Sequence, residues 1–126
     1  MKLVEKHKIY RSHPSYSKLD DMSRKANNLY NQCVYFAKHS KNLSEDLKTL
    51  DKVMKSFPDE HDNYRSFGHA KSAQQVLKLF RQNLRSYFAS IKDYKKNPTK
   101  YASRPNFLKF RKSSERFQVI FANQSV

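Results

Sequence analysis

Residues 70–94 carry an apolar stripe of a kind that a long amphipathic helix makes. Ala73, Val76, Leu77, Phe80, Leu84, Tyr87, Phe88, Ile91 and Tyr94 advance by steps of three or four, with adjacent pairs at 76/77 and 87/88. No other periodic run in the chain is as long. Off the stripe, Lys71, Lys78, Arg85 and Lys92 recur every seventh residue with Arg81 beside them, so a basic line accompanies the apolar one. One face of this helix requires a core and another suits an anion.

The flanking sequence supplies the rest of that core. Residues 3–10 alternate loosely and read as a short basic strand, which His13-Pro14 ends because proline removes a ladder donor and restricts the residue before it. Ser15 or Ser17 then caps a helix over about 16–39, with Asp20 and Asp21 placed in its first turn where carboxylates suit the helix dipole. Its stripe is Leu19, Met22, Ala26, Leu29, Cys33 and Phe36/Ala37, while Asn27, Asn28, Tyr30 and Asn31 lie beside or opposite it and read as a solvated face. After a loop at 38–42, Leu43, Leu47, Leu50, Met54 and Phe57 form a second, shorter helical stripe that stops at Pro58. Asp59, Glu60 and Asp62 with His61 make an acidic connection that Gly68 closes, too long for the tight turn of a helix-turn-helix. Lys95-Lys96-Asn97-Pro98 stops the long helix, and residues 117–121 alternate as a second strand ending at Asn123. The expected fold is mainly α: a helix hairpin plus one long helix, set between two short β-strands that can pair.

Charge decides which partners are plausible. The 126 residues make one domain by length, and the net charge is +15. Residues 1–62 contribute +3 of it and residues 63–126 contribute +12, so the second half carries most of the attraction for a polyanion. Nucleic acid leads, because many Lys and Arg that neutralise phosphates release counterions and bind without reading sequence. An anionic membrane is the weaker partner, since the apolar stripe is committed to a core. Cys33 is the single cysteine, which excludes an intramolecular disulfide or a cysteine zinc cluster and fits a reducing, cytoplasmic location. No apolar run approaches a membrane span, and residues 1–8 lack the features of a signal peptide.

Catalytic chemistry finds little purchase. There is no glycine-rich phosphate loop, no metalloprotease-type histidine pair and no His-x-His beside a tyrosine nucleophile. His61 and His69 near Asp59, Glu60 and Asp62 match no recognised metal spacing, so no catalytic residue, metal or cofactor is expected. Residues 95–116 hold eight Lys/Arg and one acid; Lys95, Lys96, Lys100, Arg104, Lys109 and Arg111 alternate there with Tyr101, Phe107 and Phe110. Such a mixture can hold phosphates while rings stack on exposed bases. Gln74 and Gln75 can pair with a base edge, although helix surface is the plainer reading of the two residues by themselves.

Several separated motifs then agree with one family. Val4-Glu5-Lys6-His7, Ser12-His13-Pro14, Lys25-Ala26-Asn27-Asn28-Leu29-Tyr30-Asn31, Ser72-Ala73-Gln74-Gln75-Val76-Leu77, Leu84-Arg85-Ser86-Tyr87-Phe88, Lys95-Lys96-Asn97-Pro98-Thr99-Lys100 and Arg104-Pro105 follow in order along nearly the whole chain. Together they resemble the N-terminal region of transposon-encoded TnpB (OrfB-type) proteins. The resemblance implies the nucleic-acid-binding part of an RNA-guided DNA endonuclease. Residues 1–12 would be the first strand of an incomplete wedge-like barrel, 13–96 an inserted helical recognition domain, and 97–126 a basic linker with the returning strand. The implied partners are a guide RNA scaffold and the DNA motif flanking the target, with Lys71, Gln74, Gln75 and Asn123 near that motif. Two departures stand out: Ser103 and Leu108 replace the usual glycine and proline around Arg104-Pro105, and Gly68 stands where the family often has proline. The family's nuclease acids and zinc ribbon lie beyond these motifs, so no cleavage is expected of this chain alone. The alternative expectation is a stand-alone basic helical regulator or protein-interaction module.

Overall fold

The computed structural model describes residues 12, 14–68, 70–112 and 116. Among the described residues four α-helices follow in order: α1 (Tyr16–Lys38), the short α2 (Leu43–Asp46), α3 (Leu50–Lys55) and the long α4 (Ala70–Lys96). Turns of 3₁₀-helix lie at Leu47–Thr49, Asp59–His61, Arg65–Phe67 and Pro98–Lys100. The two long helices pack on each other, and α3 and the Arg65–Phe67 turn close the core.

The core follows from the two apolar stripes. Met22, Ala26, Leu29, Tyr30, Cys33, Val34 and Ala37 of α1 are buried against Ala73, Val76, Leu77, Phe80 and Leu84 of α4. Tyr30 meets Phe80 edge to face at 5.9 Å between ring centres, and its hydroxyl accepts a hydrogen bond from Asn83 Nδ2 at 3.0 Å. An aromatic pair in this arrangement adds about 0.5–1.5 kcal/mol beyond its area burial. Leu50 and Met54 fill the core from α3, and Tyr64 and Phe67 from the connection that follows. Cys33 sits inside this cluster, and burial pushes its thiol up to about 12, so it packs as a small hydrophobe.

Two local features depart from the sequence pattern. The stripe over 43–57 does not form one helix: it breaks into α2, a 3₁₀ turn and α3. At the break, the Thr49 hydroxyl donates to the Asp46 carbonyl at 3.1 Å, and such back-bonding competes with the helical ladder. The start of α1 also differs. Ser15 occupies the N-cap position, but Asp20 and Asp21 sit beyond the first turn in ion pairs with Arg116 and with Arg24 and Lys25.

The acidic connection is organised rather than merely solvated. Asp62 turns its carboxylate inward, where Oδ1 accepts from the N–H groups of Tyr64 (3.1 Å) and Arg65 (2.8 Å) and Oδ2 from that of Ser66 (2.8 Å). One side chain thus satisfies three backbone donors and shapes the turn that delivers Tyr64 and Phe67 to the core. Gly68 ends the turn at φ +88°, as the sequence pattern expects of the residue that closes this connection.

The expected placement of the helices between strands of a wedge-like barrel is corrected. The described chain is 72% helix, with no strand or sheet among the described residues. The strands expected at 3–10 and 117–121 lie outside the described residues. Residues 101–112, expected to lead back into a barrel, instead form a non-helical strap against the helices, with Phe107 and Leu108 packed on the core. The physical reason is a matter of backbone partners: near its end the strap bonds to side chains of α1 rather than to a neighbouring strand.

Gly68 gives this account a direct check. A Cβ there meets nothing within 4 Å, so the left-handed backbone is the only penalty for adding one. Gly68→Ala is expected to lower stability in urea unfolding by about 1–2 kcal/mol.

Candidate nucleic-acid interface

Helical geometry places the basic line away from the core. Positions seven apart return to nearly the same direction, drifting by about 20° per heptad. On α4 the buried set runs from Ser72 to Leu84, and Lys71, Lys78, Arg85 and Lys92 all project from the exposed side. Gln74 and Lys96 share that exposed side, whereas Gln75 is half-buried. The line from Lys71 to Lys96 extends about 37 Å at the ordinary helical rise. Phe88 is 47% exposed and stands between Arg85 and Lys92, three and four residues away on the helix surface.

Arg81 does not belong with these cations. Its guanidinium donates to the Leu47 carbonyl at 3.2 Å and to Asp51 Oδ1 at 2.8 Å, so it ties α4 to the broken helix opposite. Lys100 is similarly engaged, lying 3.2 Å from Asp93 Oδ2. Arg111 is a brace: its Nε donates to Asn27 Oδ1 at 2.8 Å, and its backbone N–H donates to Asn31 Oδ1 at 2.7 Å. These three residues, expected as phosphate contacts, have carboxylate or amide partners within the fold. Lys95, Arg104 and Lys109 are exposed near the strap, and Asn123 lies outside the described residues.

The amides of α1 explain why the strap stays in place. Asn31 accepts from Arg111 N–H and donates from Nδ2 to the Arg111 carbonyl at 2.8 Å, satisfying both backbone groups of one residue. Asn27, fully buried, donates to the Lys112 carbonyl at 2.9 Å while accepting from Arg111 Nε. Further along, Arg116 Nε lies 2.7 Å from Asp20 Oδ1, and Lys38 stands 4.6 Å over the Phe110 ring. The strap therefore runs antiparallel to α1, from Lys38 toward Asp20. The sequence pattern alone assigns these amides to a solvated surface; the signal that marks them is the spacing of Asn27 and Asn31, one helical turn apart on a single side.

Where α4 ends, a second anchor forms. Asn97 leaves the helical region because Pro98 follows it, and Pro98–Lys100 makes a 3₁₀ turn. Asp93 Oδ2 accepts from the Tyr101 hydroxyl at 2.7 Å, and Asp93 Oδ1 accepts from Asn97 Nδ2 at 3.2 Å. Tyr94 packs edge to face on Tyr101, and Tyr87 on Phe107. In the second half of the α4 stripe Tyr87 and Tyr94 thus pack on the returning strap, while Phe88, expected in that stripe, lies exposed at its edge; the first half is covered by α1.

Metal chemistry has no set of donors here: among the described residues no group of three or more His, Cys, Asp or Glu is arranged to hold an ion. No helix among them is long and apolar enough to cross a membrane. Comparison with protein-family models, curated proteins and solved structures gives no match to this chain. The arrangement that remains is an exposed cationic helix face flanked by a partly exposed aromatic residue and a basic strap.

The Asp93 anchor predicts a pH dependence. Hydrogen bonding from Tyr101, then Lys100 and Asn97, holds its carboxyl below the ordinary 3.8. A group depressed in the folded state contributes stability that is complete above its unfolded value and is lost as pH falls through the folded one. Carboxyl NMR should therefore place the Asp93 midpoint below 3.8, with the hydrogen bond from Tyr101 breaking only under acid. A midpoint at or above 3.8 contradicts the anchor.

Proposed function

We propose that this chain binds nucleic acid through the exposed side of α4, with Lys71, Lys78, Arg85, Lys92 and Lys96 contacting phosphates and Phe88 between them. The single observation that carries the reading is the position of these cations opposite the core. The charge balance supports it: 26 Lys/Arg face 11 Asp/Glu in the sequence, so the cations far outnumber the carboxylates that could neutralise them. Three carboxylates serve structural joints: Asp51 for Arg81, Asp62 for the turn after it and Asp93 for the end of α4. A cationic row of this length suits the regular spacing of a nucleic-acid backbone.

The resemblance of the motifs named above to TnpB-like proteins narrows this proposal. On that basis the chain is the nucleic-acid-binding N-terminal portion of an RNA-guided DNA endonuclease, with a guide RNA scaffold and target-flanking DNA as partners. Gln74, exposed at the start of α4, is then the residue suited to read a base edge. In that reading the residues of α4 serve binding, and cleavage chemistry is assigned to none of them.

A salt titration with structured RNA, duplex DNA and single strands tests the proposal. Affinity is expected to fall steeply as salt rises, and replacing Lys78, Arg85 and Lys92 together by Gln should reduce the slope of log K against log salt by about 2–3. The variant should keep the helical circular dichroism of the parent. Affinity indifferent to salt, or an unchanged slope in the variant, counts against the cationic face. Gln74→Ala should change preference among DNA sequences more than overall affinity.

A further inference from the structure

Beside the strap, on the other flank of Asn31, α1 opens into a shallow groove of about 300 Å³. Asn28, Asn31, Gln32 and Tyr35 of α1 form one side, and Phe57 and Asn63 of the connection form the other. Its volume lies at the small end of the range for ligand pockets. Four of the six lining residues are carboxamides, an unusual concentration for a surface of a protein this rich in Lys and Arg.

Those amides differ in how fully they are used. Both ends of Asn31 are committed to Arg111. Gln32 is oriented by a 2.7 Å bond from Nε2 to the His61 carbonyl, and its Oε1 is buried with no partner. Asn28 and Asn63 are only loosely engaged: Asn28 Nδ2 stands 3.5 Å from Asn63 Oδ1, and Asn63 Nδ2 stands 3.4 Å from the His61 carbonyl. Bonds of that length are weak and exchange readily for better ones. At the mouth of the groove the Tyr35 ring is 59% exposed and rests against His39 at 4.2 Å between ring centres.

A flat aromatic face beside carboxamides offering a donor and an acceptor is the chemistry that recognises a nucleobase. We propose that this groove is a subsite for one unpaired adenine of a single-stranded nucleic acid, stacked on Tyr35 and read by the carboxamides of Asn28 and Asn63. Adenine fits best, because it presents the donor and acceptor that a single carboxamide complements on two edges, N6 with N1 and N6 with N7, where cytosine does so on one, and its purine ring covers more of an aromatic face than a pyrimidine does. A peptide could use the same amides, but the charge of the chain and the exposed ring favour a strand of nucleic acid. The inference rests on the nucleic-acid reading above for the strand that supplies the base. It assigns that strand a second point of attachment, on α1 rather than α4.

Two measurements on the full chain test it. In fluorescence anisotropy at low salt, labelled oligo(dA) should bind more tightly than oligo(dT) or oligo(dC). Tyr35→Ala should weaken oligo(dA) binding roughly tenfold, with Tyr35→Phe close to the parent and duplex affinity unchanged. Asn28→Leu combined with Asn63→Leu should bring the dA/dT affinity ratio toward one. Equal affinity for all strands, or undiminished binding by Tyr35→Ala, overturns the subsite while leaving salt-dependent duplex binding, and with it the proposed function, intact. The second measurement is an NMR titration with adenosine monophosphate, using inorganic tripolyphosphate as the control. Shifts at Asn28, Tyr35 and Asn63 with the nucleotide but not with tripolyphosphate support the subsite, whereas failure of every oligomer, duplex included, to bind at low salt removes the polyanion reading and with it a subsite for a strand. Absence of those shifts overturns the subsite.

Discussion

The packing of α1 on α4 is the interaction on which the rest of this structure depends. Tyr30 sits at its centre, packed on Phe80 and hydrogen-bonded to Asn83, with Leu29, Cys33, Leu77 and Leu84 sealed around it. Each fully buried side chain of this size contributes about 1.5–3 kcal/mol, and a chain this short has one core in which to do so. Because the two longest helices satisfy each other along one side, their other sides are released for different work. That of α4 becomes a row of cations; that of α1 becomes a row of amides.

The shorter elements are joints that keep the pair in register. Asp62 gathers three backbone donors and so folds the turn that plugs Tyr64 and Phe67 into the core. Arg81 fastens α4 to the segment around Leu47 and Asp51. Asp93 collects Tyr101, Lys100 and Asn97 where α4 ends, and Asn27 with Asn31 receives the strap that returns from there. Acids are scarce in this protein, and those at the joints are engaged there, Asp62 by backbone N–H groups, Asp51 by Arg81, and Asp93 by Lys100 and Tyr101. The row of cations on α4 bears on partners more than on the fold.

How much of this is legible in the sequence depends on the range of the interaction. The α4 stripe as far as Leu84, its stop before Pro98 and the closing role of Gly68 are local properties and appear where the pattern puts them, whereas Phe88, expected in the stripe, lies exposed. The break at Thr49 is hidden because the apolar spacing of 43–57 continues across it, while the competing hydroxyl bond is a detail that periodicity does not register. Arg81 and Arg111 resemble phosphate contacts in the sequence because their partners lie 30 and 84 residues away, at Asp51 and Asn27. The same distance conceals the duty of Asn27 and Asn31, which have the look of solvated amides until a strap is laid across them. The barrel expected from family resemblance has no counterpart among the described residues, where the strap pairs with side chains instead of a strand.

The central claim is that α4 serves the core with one side and a polyanion with the other. Mapping backbone amide shifts on adding a short DNA duplex at low salt tests it most directly. Shifts are expected to concentrate around Lys71, Gln74, Lys78, Arg85 and Lys92, to vanish as salt is raised, and to leave the core amides near Leu29 and Phe80 unmoved. Shifts centred elsewhere on the molecule, or none at low salt, would contradict it.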